Sequence, residues 1–278
     1  MEIWNAMVLG LIQGISEFLP ISSSGHLSIL QNLFGLQVAS EGHLFFDVLL
    51  HLATLVSVCV VYWKDIRNMI WDCLDYAFVS RHPNLVVADE LPGARLALMI
   101  VIGTLPLFAV VFINKYIERL YYHSMFIGIS LMLTGCVVYV CDNLLVGRKT
   151  ERTMRVRDAL IIGICQAVAT IPGLSRSGTT ITAGIATGLE REFAIKFSFL
   201  MSIPAIFGAN LLSLYQAMEC GINPRDIPAY LIGMAVAMIA GVLSISLLKY
   251  ITKKGGFGKF CYYCWGVGFI SVVLAVIL

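Results

Sequence analysis

The chain has 278 residues, of which 59% are hydrophobic and 13% are charged, and its net charge is +2. A typical soluble domain has about 25% charged residues, so the composition excludes an ordinary soluble domain. The basic residues are dispersed, which excludes a nucleic-acid partner. Several apolar runs approach the roughly 20 residues that cross a bilayer, and runs of this length argue against membrane β-strands. We therefore predict an all-α polytopic membrane protein.

The first predicted element is an apolar segment that begins near Met7 and is interrupted by the polar stretch EFLPISSSGHL (17–27), after which the sequence becomes apolar again. Pro20 predicts a break in the helix, and the serines that follow are typical N-caps of a returning helix. Glu17 lies four residues after Gln13, on the same helical face. An acidic side chain at membrane depth costs at least about 2.5 kcal/mol, which indicates a function. Glu17 is a candidate metal ligand, general base or ion-pair partner of Arg176, which lies in the second interrupted segment.

Three hydroxyl side chains and a histidine follow the predicted break. Ser22, Ser23 and Ser24 precede His26 in the sequence. A serine or histidine nucleophile beside a base is the usual arrangement for covalent catalysis. The sequence leaves open whether Ser23 or His26 is the nucleophile. We predict that His51, at the start of the next apolar run, faces a pore or packs rather than taking part in catalysis.

Six further apolar runs predict membrane spans, and the polar segment 64–95 predicts an interfacial loop. The runs lie at about 45–63, 94–113, 125–146, 194–216, 228–249 and 260–278.

A second interrupted segment matches the first at an offset of 153 residues. The matched pairs are Gly10/Gly163, Gln13/Gln166, Ser22/Ser175, Ser24/Ser177 and Gly25/Gly178. We predict two homologous halves, about 1–146 and about 157–278, joined by the basic loop 147–157. Because each half has three spans and one re-entrant hairpin, the halves should form an inverted-topology repeat. Gln166 is predicted to make a hydrogen bond between helices.

The distribution of basic residues agrees with this topology. The segments 64–95, 147–157 and 249–259 are rich in Lys and Arg and are predicted to be cytoplasmic. The segments 114–124 and 218–227 are poorer in basic residues and are predicted to lie outside, as are both termini.

The second interrupted segment carries an arginine among hydroxyl side chains. Pro172 predicts the break, and Arg176 follows it, with Ser175, Ser177 and Thr179 nearby. A planar guanidinium makes paired hydrogen bonds to phosphate oxygens. If both returning helices begin near one point, their N-termini would add free N–H groups for an anion. The pattern predicts a phosphate site.

Two motifs, QGISEFLPISSSGH (13–26) and PGLSRSGTT (172–180), resemble the signature segments of the undecaprenyl-diphosphate phosphatase family, the bacitracin-resistance type of integral-membrane phosphatase. The resemblance covers essentially the whole chain, including FSFLMSIPAIFGA (197–209). It implies hydrolysis of undecaprenyl diphosphate to the monophosphate, which carries peptidoglycan precursors. It also implies a multi-pass protein of the bacterial cytoplasmic membrane, with its active site open to the outer face.

The resemblance also implies roles for individual residues. Glu17 matches an essential acidic position, Ser23 and His26 match the nucleophile and its partner, and Arg176 matches a phosphate-binding arginine. The surrounding hydroxyls predicted to bind phosphate are Ser22, Ser24, Ser175, Ser177 and Thr179. A divalent cation, Mg²⁺ or Ca²⁺, is expected at Glu17 and Gln13. Many relatives have glutamate in place of Gln13, so the grip on the metal should differ here.

A secondary transporter or lipid flippase on the same scaffold is the alternative interpretation. A transporter needs binding groups, whereas the two motifs supply a nucleophile, a base and an anion-binding arginine. The hypothesis is that Ser23 attacks the terminal phosphorus while His26 or Glu17 takes its proton. The expected partners are the polyprenyl diphosphate and membrane lipid, and a homodimer stays open.

Overall fold

The computed structural model describes residues 2–33, 41–79, 91–113, 116–117, 120, 123–144, 147–219 and 224–277. Within these ranges the regular structure is helical, apart from one isolated bridge between Lys149 and Leu189. The α-helices are α1 Ile3–Ser16, α2 Ser23–Leu33, α3 Glu41–Val61, α4 Trp63–Val79, α5 Pro92–Thr104, α6 Leu107–Val111, α7 Ser124–Asn143, α8 Val156–Val168, α9 Arg176–Ala186, α10 Arg191–Glu219, α11 Ile227–Lys253 and α12 Phe260–Ile277.

The helices long and apolar enough to cross a membrane confirm a polytopic membrane protein. In the described part of the chain there are five such spans, and a sixth if α3 and α4, which are bent by 78°, are taken together. The five spans are Pro92–Val111, Ser124–Asn143, Arg191–Leu211, Pro224–Lys253 and Phe257–Ile277. Each has the length that a hydrocarbon core of about 30 Å requires.

The prediction of an interfacial loop over 64–95 is wrong for the first part of that segment, because Trp63–Val79 forms helix α4. Ile66 and Met69 lie three residues apart, and both pack against the main hydrophobic core. This spacing is that of one helical face. The Asp72 carboxylate accepts a hydrogen bond from the Gly93 N–H at 2.6 Å, which ties α4 to the start of α5. Residues 80–90 lie outside the described residues.

Both interrupted segments break as the sequence predicts. Helix α1 ends at Ser16 and α2 begins at Ser23, whereas α8 ends at Val168 and α9 begins at Arg176. The two returning helices are capped in the same way. The Ser22 hydroxyl accepts from the Gly25 N–H at 3.4 Å, and the Ser175 hydroxyl accepts from the Gly178 N–H at 3.1 Å. These bonds satisfy N–H groups that a helix start leaves free.

Glycine contacts hold the outgoing helix of each segment against a spanning helix. A Cβ atom on Gly10 would lie 2.3 Å from the Gly233 oxygen of α11, and one on Gly163 would lie 2.2 Å from the Gly103 oxygen of α5. Small residues allow this approach between membrane helices. The inverted orientation of the two halves stays a prediction, as does the membrane side of each loop. Parts of the topology prediction fall on 80–90, 114–122 and 220–223, which lie wholly or largely outside the described residues.

Candidate functional site

The turns of the two interrupted segments contact each other. The Ser177 hydroxyl donates to the Leu19 carbonyl at 3.2 Å, and the Gly173 N–H donates to the Ser24 hydroxyl at 3.4 Å. The buried ring of Phe18 packs edge-on against Phe199 of α10, at 5.3 Å between ring centres. These contacts bring the polar residues of the two segments to one place.

A buried carboxylate, that of Glu17, lies at the centre of this place. Its Oε1 atom is paired with the guanidinium of Arg176. Its Oε2 atom accepts hydrogen bonds from the Ser23 hydroxyl at 2.6 Å and from the Gln13 side-chain amide at 3.2 Å. Only 6% of Glu17 is exposed. A buried charge is tolerated when it is paired and hydrogen-bonded, as here.

Ser23 and Arg176 are the first residues of the returning helices α2 and α9. Both are partly exposed, in contrast to Glu17. The first N–H groups of a helix have no partner within the helix and favour an anion. The site therefore combines two helix starts, a cationic side chain and a hydroxyl whose proton already points to a carboxylate.

His26 is held away from the role of proton acceptor for Ser23. Its Nδ1 atom lies 2.8 Å from the Ser22 carbonyl, and because a carbonyl only accepts, this nitrogen carries the proton. Its Nε2 atom lies 2.8 Å from the Tyr263 hydroxyl, and the two rings are stacked at 5.5 Å. The geometry thus pairs Ser23 with Glu17 and His26 with Tyr263. Tyr263 had no signal in the sequence.

A second histidine, His51 of α3, faces the same carboxylate. Its Nε2 atom lies 4.0 Å from Glu17 Oε2, and its Nδ1 atom donates to the Asp47 carbonyl at 2.8 Å. About 32% of the side chain is exposed. The prediction that His51 only packs or lines a pore omitted this contact. The rule that singled out Glu17, that an ionisable side chain inside a membrane segment marks function, could have found it.

Most of the predicted phosphate-binding hydroxyls are engaged in the fold. Ser175 is a helix cap and lies 3.1 Å from the Ser177 hydroxyl, and its own N–H donates to Thr134 at 2.9 Å. Ser22 caps α2 and lies 3.3 Å from the Ser24 hydroxyl. The hydroxyl oxygen of Thr179 is buried and has no hydrogen-bond partner in the described part of the chain. Phosphate binding by this set stays a prediction.

The oxygens that a cation could use are Gln13 Oε1 and the Glu17 carboxylate, which also accepts from Arg176, Ser23 and the Gln13 amide. Gln13 Oε1 is buried and lacks a hydrogen-bond partner among the described residues, whereas most buried polar atoms in proteins are paired. The described residues contain no cluster of three or more His, Cys, Asp or Glu that could hold a metal by itself. A magnesium ion commonly takes one or two protein oxygens together with substrate phosphates and water. The pair fits a cation held in this way.

The fold and the site define a class: a polytopic membrane protein whose polar site is built from two interrupted helices, with a carboxylate between a serine and an arginine. The family model described as bacitracin resistance protein BacA matches residues 6–270. The chain belongs to this family.

Curated relatives match over their full length. The chain is 38% identical to an undecaprenyl-diphosphatase of Methanosphaera stadtmanae, with 100% of both chains covered. It is 40% identical to one of Desulforapulum autotrophicum, with 98% of both covered, and 35% identical to one of Halothermothrix orenii, with 99% of both covered.

Proposed function

We propose that this protein is an undecaprenyl-diphosphatase, which hydrolyses undecaprenyl diphosphate to undecaprenyl phosphate and inorganic phosphate. The observation that carries the proposal is the Glu17 carboxylate, bonded at once to the Ser23 hydroxyl and to Arg176. Full-length similarity to proteins named undecaprenyl-diphosphatase supports hydrolysis over the transporter alternative. In the cell the product would return to peptidoglycan synthesis, and the activity would confer resistance to bacitracin.

Binding of the diphosphate uses the positive charge of the site. Phosphoryl transfer requires in-line positioning and stabilisation of charge on the nonbridging oxygens. Arg176 is partly exposed and can turn one N–H edge to the phosphate while it stays paired with Glu17. The N-termini of α2 and α9 and the unpartnered hydroxyl of Thr179 would supply further donors.

The chemical step follows from the bond between Ser23 and Glu17. The Ser23 oxygen attacks the terminal phosphorus, and its proton passes to Glu17 Oε2 along the 2.6 Å hydrogen bond. The bond from the terminal phosphorus to the bridging oxygen breaks, and undecaprenyl phosphate leaves. Water then hydrolyses the phosphoserine. Both nitrogens of His26 are occupied, which favours Ser23 over His26 as the nucleophile.

A divalent cation, Mg²⁺ or Ca²⁺, would be held by Glu17 and by Gln13 Oε1. When bound, it would neutralise charge on the diphosphate oxygens. Glu17 would keep its contacts with Arg176 and Ser23, so Arg176 would still orient the carboxylate and Glu17 would still accept the proton of Ser23.

The substrate and location complete the proposal. The exposed apolar side chains of the spans suit an isoprenoid chain that stays in the bilayer. We place the protein in the bacterial cytoplasmic membrane, with both termini and the mouth of the site at the outer face. A homodimer is a further proposal, and the mass of the detergent-solubilised protein tests it.

The test is release of phosphate from undecaprenyl or farnesyl diphosphate by the purified protein, with and without EDTA. Glu17→Gln, Ser23→Ala, His26→Ala and Arg176→Ala are compared with the unchanged chain. Full activity in both Glu17→Gln and Arg176→Ala would refute the site. Transport of a polyprenyl phosphate into vesicles without any hydrolysis would establish the transporter alternative instead.

A further inference from the structure

A groove of about 580 Å³ lies behind the first interrupted segment, between the end of α11 and the start of α12. Its apolar wall includes Leu19 and Ile21, which flank Pro20 in the turn that carries Glu17. Leu19 and Ile21 are each less than 8% exposed. The groove therefore borders the turn that carries Glu17, on the side of Leu19 and Ile21.

Two lysines, Lys254 and Lys259, line the same groove. Neither forms an ion pair with a carboxylate in the part of the chain that the structure describes. The Lys254 ammonium instead contacts Tyr250, bonding its hydroxyl and lying 4.3 Å from its ring centre. The neighbouring Lys253 differs, because its ammonium lies 3.4 Å from Glu192. Two ammonium groups without counter-ions beside an apolar wall match a phosphate group joined to a hydrocarbon chain.

The position of the groove along the spans selects its occupant. One candidate span ends at Lys253 and the next begins at Phe257, so the groove lies where spanning helices reach the membrane surface. Lipid headgroups lie at this depth, and acyl chains lie deeper. Basic pockets between spanning helices on the cytoplasmic side bind acidic headgroups. An acidic phospholipid of the surrounding bilayer has a phosphate joined to acyl chains, and its headgroup lies at this depth.

Tyr263 joins the groove to the active site. Its side chain lines the groove, and its hydroxyl contacts His26 Nε2 at 2.8 Å. The adjacent Cys264 thiol donates to the Pro20 carbonyl at 3.4 Å, so the start of α12 is also bonded to the turn that carries Glu17. An occupant that packs on Tyr263 and Leu19 would hold both sides of this contact in place.

We propose that the groove binds an anionic phospholipid, with its phosphate between Lys254 and Lys259 and an acyl chain against Leu19 and Ile21. The bound lipid packs on Leu19 and on the start of α12, fixes the turn that carries Glu17 through the Cys264–Pro20 and Tyr263–His26 contacts, and thereby raises the rate of hydrolysis. The binding half of this inference is independent of the reaction, and the rate half rests on the proposed function.

The binding test uses the full-length protein and native mass spectrometry after extraction from bilayers of phosphatidylcholine mixed with phosphatidylglycerol. We expect the unchanged chain to retain phosphatidylglycerol. The double variant Lys254→Gln/Lys259→Gln should retain it about 30-fold more weakly, since each lysine near a lipid surface contributes about a fivefold factor. Lys253→Gln is the matched control and should behave as the unchanged chain. Equal retention by all three proteins, or retention of undecaprenyl phosphate in place of phosphatidylglycerol, would overturn the proposal.

The rate test compares turnover in bilayers with and without phosphatidylglycerol. The added lipid should raise kcat several-fold for the unchanged chain and for Lys253→Gln, and not for the double variant. Tyr263→Phe should still bind the lipid and should lose the rise in kcat. An equal rise in the double variant would refute the coupling. If no protein hydrolyses the diphosphate, the proposed function fails, while lipid retention still decides whether the groove is a site.

Discussion

Ser23 and Arg176 occupy the same position in the two interrupted segments, 153 residues apart. Each is the first residue of a returning helix, and each contacts one oxygen of the Glu17 carboxylate, Ser23 at Oε2 and Arg176 at Oε1. The caps before them, Ser22 and Ser175, also correspond. One backbone arrangement thus delivers a hydroxyl from one half of the chain and a cation from the other.

The difference between the segments lies in how their polar groups are used. In the second segment, Ser175 and Ser177 bond to backbone and to each other, and only Arg176 is directed to the carboxylate. In the first, Ser22 has a positive φ of 71°, which is uncommon for residues other than glycine and occurs often at functional sites. This difference supports the proposal that the first segment carries the chemistry and the second binds the anion.

Replacing the hydroxyl of the first segment should have the largest effect. We expect Ser23→Ala to lower kcat by at least about 10³-fold, because it removes the nucleophile. Radiolabelled terminal phosphate should be trapped on the unchanged chain after an acid quench and should be absent from Ser23→Ala. Ser16→Ala is the control, because the Ser16 hydroxyl is bonded to the Ile12 carbonyl at 2.6 Å and should not affect turnover. Labelled phosphate on His26 would reverse the assignment.

Replacing the cation of the second segment should have the next largest effect. Arg176→Ala should lower kcat/KM by about 10² to 10³-fold, since a charged donor to the phosphate is lost. It also leaves the Glu17 carboxylate buried without its partner, at a cost of about 3 kcal/mol in unfolding free energy. Adding Glu17→Gln should restore much of the stability and none of the activity. Thermal unfolding in detergent measures this, and simple additivity of the two losses would contradict the pairing.

His51 provides a smaller test of whether the carboxylate has a third neighbour. His51→Gln should lower kcat about tenfold, because a ring 4.0 Å from Glu17 Oε2 helps to fix the carboxylate without touching Ser23. The exposed His123, which precedes α7, serves as control, and His123→Gln should have no effect. Equal activity of the two variants would limit the site to Glu17, Ser23 and Arg176.

Gln13 offers a test of the expected cation. In Gln13→Glu the amide donor to Glu17 Oε2 is replaced by a second carboxylate. Two adjacent carboxylates repel each other and bind a divalent cation more tightly than one does. The Mg²⁺ or Ca²⁺ concentration for half-maximal activity, titrated into EDTA-treated protein, should fall about tenfold. An unchanged cation concentration for half-maximal activity would show that Gln13 is not a metal ligand.

The sequence predicted the backbone of the site and the contact of Glu17 with Gln13, and it offered the pairing of Glu17 with Arg176 as one alternative. Pro20 and Pro172 mark the breaks because proline disrupts helical hydrogen bonding. The spacing of Gln13 and Glu17 predicted their neighbouring positions, and they are bonded. The contacts of Glu17 with His51 and of His26 with Tyr263 depend on how distant helices pack, which no spacing encodes. Helix α4 was missed because its charged residues obscured a single apolar face.

The smallest expected effect compares the two matched glutamines. Gln166 was predicted to bond between helices, and this is wrong for the described part of the chain, where its amide is 1% exposed and neither polar atom has a partner. Removing an unsatisfied buried amide recovers its desolvation cost. Gln166→Leu should therefore raise the unfolding free energy by about 1–2 kcal/mol and leave turnover unchanged, whereas Gln13→Leu should lower turnover by removing a donor to Glu17. Thermal unfolding and phosphate release on both variants measure this. A loss of activity in Gln166→Leu would show that the second segment also contributes to the chemistry.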